Sequence, residues 1–247
     1  MNSLSPPNRL VHLLREITSL PGDTSTRQLW AKIFSLQPSE TAKILEQVAA
    51  VILLVASARQ VVTEAVGELN LHLHLQGFSH IENALSSLNL DANARGLVEG
   101  ANEALRGLQF SADLVDRVAP AIRLDDQLLS QLQRETDSLL EQVVQSDLEP
   151  ALKDLLRKRF EAVREAILNI RISGPEAVEA ALDGLAGAYS RAGTNAASDA
   201  KPGIAKRLAD YLDLGYKATQ LAESVPRIAA GVMKLIAATS GAPTDAI

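Results

Sequence analysis

The sequence predicts an all-α protein, an irregular multi-helix bundle around a long, centrally buried hydrophobic helix at about residues 39–76. Composition points that way first. Hydrophobic residues make up 47% of the chain and aromatic residues only 3%. The apolar content is therefore Leu, Ala, Val and Ile, which suit helix-on-helix packing better than a β-sandwich. Periodicity agrees, because apolar residues recur at three- and four-residue intervals along most of the chain, the spacing of one helix face. The third sign is residues 48–58, VAAVILLVASA, apolar or small almost without interruption. At about 100° per residue, Val48, Val51, Ile52, Leu53 and Leu54 surround the helix, and a helix apolar all round needs burial in protein or lipid.

The elements follow in order. Ser5-Pro6-Pro7 opens a first helix, since proline is pre-shaped for a first turn and gives up no needed hydrogen bond there. Leu10, Leu13, Leu14 and Ile17 form its stripe, and Pro21-Gly22 closes it. A short helix at 26–35 gathers Leu29, Trp30, Ile33 and Phe34 on one face. Pro38-Ser39 begins the long helix, which the spacing carries to Gln76, with Gly77 as a left-handed cap and Phe78 as its apolar contact. Ser79 then caps a helix running to Leu88.

Residues 91–108 read as a helix weakened by Gly96, Gly100 and Gly107, each costing about 1 kcal/mol relative to alanine. Those glycines signal either close helix contact or mobility. A further short helix occupies 111–118. The clearest amphipathic pattern is 126–145, where Leu128, Leu132, Leu139 and Val143 share an arc flanked by Leu129 and Leu140. Ser146 and Glu149 make a capping box ahead of Pro150. The next helix, 147–172, buries Leu152, Leu156, Phe160, Val163, Ile167 and Ile170. A second box, Ser173 with Glu176, starts a helix at 175–191 rich in Ala and Gly, and the short break makes the two helices antiparallel or sharply bent.

The expected organisation is one bundle core at 1–192, a linker at 193–203 made of turn formers, and C-terminal helices at 204–247 docked on the same domain. The helices at 126–145, 147–172 and 175–191 are expected to cover the hydrophobic one. The tail reads as helices at 204–214 and 216–239, the second broken near Pro226.

Several chemistries are excluded. A formal net charge of -6 argues against a nucleic-acid surface. With no cysteine, there are no disulfides, thiolate nucleophiles or Cys-based zinc sites. No phosphate-binding glycine loop, nucleophile elbow or H-E-x-x-H motif is present. The N-terminus lacks the basic and apolar regions of a secretory signal. Residues 48–58 cover about half of the roughly 20 residues that cross a bilayer. Widening the window brings in Lys43, Glu46 and Arg59, so the location expected is cytoplasmic.

The chain has four histidines. On a strand, His72 and His74 would face one way and His80 could join them as metal ligands. On a helix His72 and His74 point about 200° apart and cannot share an ion, so no metal and no cofactor are assigned. Lys153, Arg157, Arg164 and Arg171 lie on one side of their helix. With Asp154, Glu161 and Glu165 beside them and no aromatic residues between, they read as a solvated face with ion pairs Asp154–Lys158 and Arg157–Glu161. Asp113, Asp116 and Asp125-Asp126 read as helix N-terminal charges. In the C-terminal segment 226–239, Ile228, Val232, Met233 and Ile236 form an apolar stripe suited to a partner or a membrane interface.

The expectation is thus a non-enzymatic interaction or regulatory protein working through amphipathic helix faces, on a protein partner or as a homo-oligomer. The alternatives are a membrane-active protein that exposes its hydrophobic helices at a membrane surface, and a His-dependent metalloenzyme.

Overall fold

The computed structural model describes residues 5–66, 71–118, 126–146, 148–196 and 202–219. Among these residues there are ten helices: α1 (Pro6–Thr18), α2 (Thr26–Ile33), α3 (Thr41–Val66), α4 (Leu71–Ser86), α5 (Arg95–Val118), α6 (Asp126–Gln145), α7 (Pro150–Leu168), α8 (Ile170–Ser173), α9 (Pro175–Ala196) and α10 (Pro202–Ala218). The all-α class therefore holds.

Two compact units emerge where the sequence suggests one core over 1–192. The first holds Met1–Ile122 with Arg171–Ser173, and the second Arg123–Ile170 with Gly174–Ile247. Each has its own buried apolar set, and no residue belongs to both. The reason lies in the stripes. Leu132, Leu139 and Val143 of α6 are buried with Leu156, Phe160, Val163 and Ile167 of α7. Those stripes cover one another, and the cover expected for the hydrophobic helix comes from elsewhere: α3 packs on α1, α2, α4 and α5.

In the first unit, Pro6 and Pro7 open α1, whose Leu10, Leu14 and Ile17 are fully buried. A capping box starts α2: the Ser25 hydroxyl accepts from the Gln28 N–H at 3.2 Å, and the Ser25 N–H donates to Gln28 Oε1 at 3.3 Å. At the far end Ser35 takes a left-handed φ of 56°, and the Leu36 N–H returns to the Ala31 carbonyl at 2.8 Å. This is a Schellman closure with serine where glycine is usual. The indole of Trp30, fully buried, stacks on Phe34 with ring centroids 5.3 Å apart.

The helix expected at 39–76 is two helices. α3 and α4 pack against each other, which one continuous helix cannot do, and Arg59 on α3 bonds Glu82 on α4 at 2.7 Å. Gly77 lies inside α4, not in a left-handed cap, and Ser79 is likewise interior. Gly77 has a steric role. A Cβ there would stand 2.9 Å from the Ala104 carbonyl oxygen and 3.1 Å from Leu108 Cγ, both on α5. A Cβ at Gly107 would sit 3.4 Å from the Gly77 Cα, and one at Gly100 only 2.7 Å from the Ala84 Cβ. Gly100 and Gly107 therefore bring two backbones together, while a Cβ at Gly96 would meet open space, and α5 runs unbroken through 95–118 where two helices are expected. Asp113 and Asp116 consequently lie near its C-terminal end, and Asp116 accepts from the Ser5 hydroxyl at the head of α1 at 3.2 Å.

In the second unit α7 packs on both α6 and α9, and α10 packs on α6 and α9. The expected stripe of α7 is buried at Leu156, Phe160, Val163 and Ile167. The capping box expected at Ser146 is absent: that hydroxyl donates back to the Val143 carbonyl at 2.7 Å, and Glu149 sits at the N-cap without a side-chain bond. Gly174, at φ 82°, allows the turn into α9. That helix reaches Ala196, into the expected linker, and α10 begins at Pro202. α10 also continues through Gly215, where a Cβ would stand 2.6 Å from Leu182 Cδ1. The absent side chain is the socket for Leu182.

Candidate interaction surface on helix α3

The buried residues of α3 are Ile44, Val48, Val51, Leu54, Val55, Ala58 and Val62. Their three- and four-residue spacing makes one ordinary core-facing stripe. The rest of the apolar sequence forms a second stripe that the first unit leaves open. Leu45 is 48% exposed, Ile52 49% and Leu53 70%. Ala42, Ala49 and Ala56 are exposed beside them. Ala42, Leu45, Ala49, Ile52 and Ala56 follow one another at alternating intervals of three and four, the spacing of a coiled-coil seam. By length and composition α3 is also long and apolar enough to cross a membrane, and only 39% of its apolar window is buried.

Charges bound this stripe. Near its start the Lys43 ammonium bonds Glu40 at 2.6 Å, and with the Gln37 N–H it holds that carboxyl below the usual carboxylate range. Glu46 is exposed at the same end. Toward the other end stand Arg59, Gln60 and Glu64, with the Gln60 amide donating to Glu64 at 2.9 Å. Elsewhere in the first unit Leu73 and Phe110 are also exposed, and Phe110 stacks on His74 at 5.4 Å. Isolated exposed apolar residues are ordinary, and a contiguous row on one helix is not.

The histidines are separated by their helix. His72, His74 and His80 all lie on α4, not on a strand. His72 and His80 are exposed, while His74 is buried with Nδ1 3.0 Å from the Ser111 hydroxyl. No group of three His, Asp or Glu able to hold a metal forms among the described residues. The three arginines of the basic row are paired with carboxylates. Arg157 meets Asp154 at 3.8 Å and Glu161 at 3.3 Å, and Arg164 meets Asp137 at 3.2 Å. Asp154 thus serves Arg157 where Lys158 is the expected partner. Arg171 bonds Glu16 at 2.7 Å and donates to the Ile33 carbonyl at 2.6 Å. The stripe Ile228, Val232, Met233 and Ile236 lies outside the described residues.

The strongly shifted groups belong to the second unit's core. Burial pushes the Tyr211 phenol well above its ordinary range, and its oxygen lies 2.7 Å from the Thr136 hydroxyl, which itself donates to the Leu132 carbonyl. Burial likewise raises Tyr216, helped by its bond to Asp183 at 2.6 Å. Both remain neutral donors at physiological pH and act as polar anchors between helices.

Sequence reasoning takes residues 48–58 as one buried unit and so misses the open stripe. The signal was available as two interleaved stripes, 44/48/51/55/58/62 and 42/45/49/52/56, of which a single fold need cover only one. Set beside models of known protein families, curated proteins and solved structures, the chain matches none of them.

Proposed function

We propose that this is a non-enzymatic, cytoplasmic interaction or regulatory protein, and that the open stripe of α3 is the face it uses. The carrying observation is the exposure of Leu45 and Ile52 in one row, with Leu53 flanking it, on a helix whose other side is core. A monomeric soluble fold places polar residues on the outer side of a bundle helix. Here the outer side is aliphatic over several turns, which favours a partner that completes its burial.

Photo-crosslinking inside cells tests the reading. A photoreactive residue replacing Leu53 is expected to give discrete adducts, while one replacing Glu103, on α5 and exposed, gives none. Equal yields from both positions would overturn it.

A second reading has an observation of its own, since α3 meets the length and composition of a membrane span. A membrane-active protein would release α3 toward a bilayer. It predicts flotation with anionic liposomes that Leu53→Glu abolishes. Protein that stays at the bottom of the gradient with every lipid mixture rules it out.

A further inference from the structure

Resting on that reading, we infer that the occupant of the α3 stripe is α3 of a second copy of this chain, lying antiparallel across a two-fold axis near residues 50–51. The seam alternates small and large residues: Ala42, Leu45, Ala49, Ile52, Ala56. Antiparallel pairing about that axis sets Leu45 over Ala56 of the second copy and Ile52 over Ala49 of the second copy. The two inner layers then each join one large side chain to one small one, with Arg59 over Ala42 at either end, and the helices can pack closely. Parallel pairing would instead stack alanine on alanine and isoleucine on isoleucine, alternating gaps with bulges.

The charges select the same direction. Glu46 and Arg59 are both exposed and stand at opposite ends of the seam, Arg59 also bonding Glu82 of its own copy at 2.7 Å. Antiparallel copies bring Glu46 of one within a turn of Arg59 of the other, twice by symmetry, whereas parallel copies place like charges side by side. The interface is isologous, so one face serves both copies and the assembly closes as a dimer. Leu53, beside the axis, flanks the central layer and supplies the apolar wall next to Ile52. A single helix pair is a small interface, at the low end of the size range of specific contacts, so the association is expected to be weak and concentration-dependent.

The absence of native cysteine makes the test clean, because a single introduced thiol reports on its own position alone. Sedimentation of the full chain at micromolar concentration is expected to show a dimer, and Ile52→Glu to weaken it by about 100-fold or more, since the change enters the centre twice. A short bis-maleimide reagent should join two copies of Ala49→Cys. It should fail with Ala42→Cys, whose two thiols would stand roughly 25 Å apart along the axis at 1.5 Å per residue. Both substitutions sit on an exposed helix surface, and unchanged thermal melts would confirm that the fold is kept. A wild type that is monomeric throughout overturns the inference, as does equal crosslinking at both positions, the mark of parallel pairing. If the wild type is monomeric yet Leu53 still gives adducts in cells, the self-pairing fails and the interaction reading stands. If neither occurs, both fail.

Discussion

The two units bury similar kinds of side chain by different means. In the first, α4 and α5 meet through Gly77, Gly100 and Gly107, with backbone against backbone. In the second, the helices are held apart by Phe160, Leu182, Tyr211 and Tyr216 and tied by phenol hydroxyls. The single tryptophan lies in the first core and all three tyrosines lie in the second. Close approach leaves little room for side chains between α4 and α5, and α3 is left with an apolar face beyond what its neighbours cover. The second unit shows no comparable row; its exposed large apolar residues among those described are Val144 and Leu168, one each on α6 and α7. Tight backbone packing in one place thus accompanies unspent apolar surface in another.

The largest expected effect separates the cores. Phe160 is buried against Tyr211, with ring centroids 5.6 Å apart. Phe160→Ala should cost the second unit about 3–5 kcal/mol through lost transfer energy and the cavity left behind. Helical circular dichroism should show an early transition, while Trp30 emission, which reports the first core, keeps its wild-type midpoint. A parallel fall of the Trp30 midpoint would mean that the two cores melt as one.

The glycines give the next contrast. Gly77→Ala drives a Cβ to 2.9 Å from a backbone carbonyl, which has no flexible end to move aside. Overpacking of this kind costs about 1–3 kcal/mol, and the Trp30 midpoint should drop. At Gly184 the nearest atom to an added Cβ is Nη1 of the flexible Arg159 at 3.4 Å. Gly184→Ala should therefore stabilise the second unit by up to about 1 kcal/mol, the helix-propensity gain. Opposite signs for the same substitution on two helices would show that steric approach, not propensity, decides at Gly77.

Alkaline pH gives a smaller effect on one unit only. Tyr211 and Tyr216 have phenols raised above their ordinary 10.0 in the folded state. The folded state therefore holds those protons more tightly than the unfolded one. The stability they contribute is fully present below pH 10, the unfolded value, and is lost as pH rises beyond it. The second unit should weaken through that window. The double variant Tyr211→Phe, Tyr216→Phe should flatten the dependence, at about 1 kcal/mol for each lost hydrogen bond.

These contrasts also show what the sequence could carry. Local patterns read correctly wherever one stripe faces one core: Leu10, Leu13, Leu14 and Ile17 of α1, and Leu132, Leu139 and Val143 of α6, are buried as their spacing requires. Gly77 misleads because glycine suits a cap and a close approach equally, and only the position of α5 separates the two. Which helices share a core is not a local property either. The stripes of α6 and α7 can cover α3 or each other with equal propriety on paper.

The smallest stability effect bears most directly on α3. Leu53 is 70% exposed, so Leu53→Glu removes little buried area and should shift stability by less than about 0.5 kcal/mol. It also lowers the apolar content of the open face. If that face is ordinary surface, the variant is silent in every measurement. If the face is a contact, the same variant loses association while the Trp30 midpoint stays fixed. A core position on the same helix supplies the control. Val48 is 3% exposed, and Val48→Ala should lower the Trp30 midpoint by the cost of a truncated core side chain. Two substitutions five residues apart would then divide one helix into a side that holds the fold and a side that meets a partner.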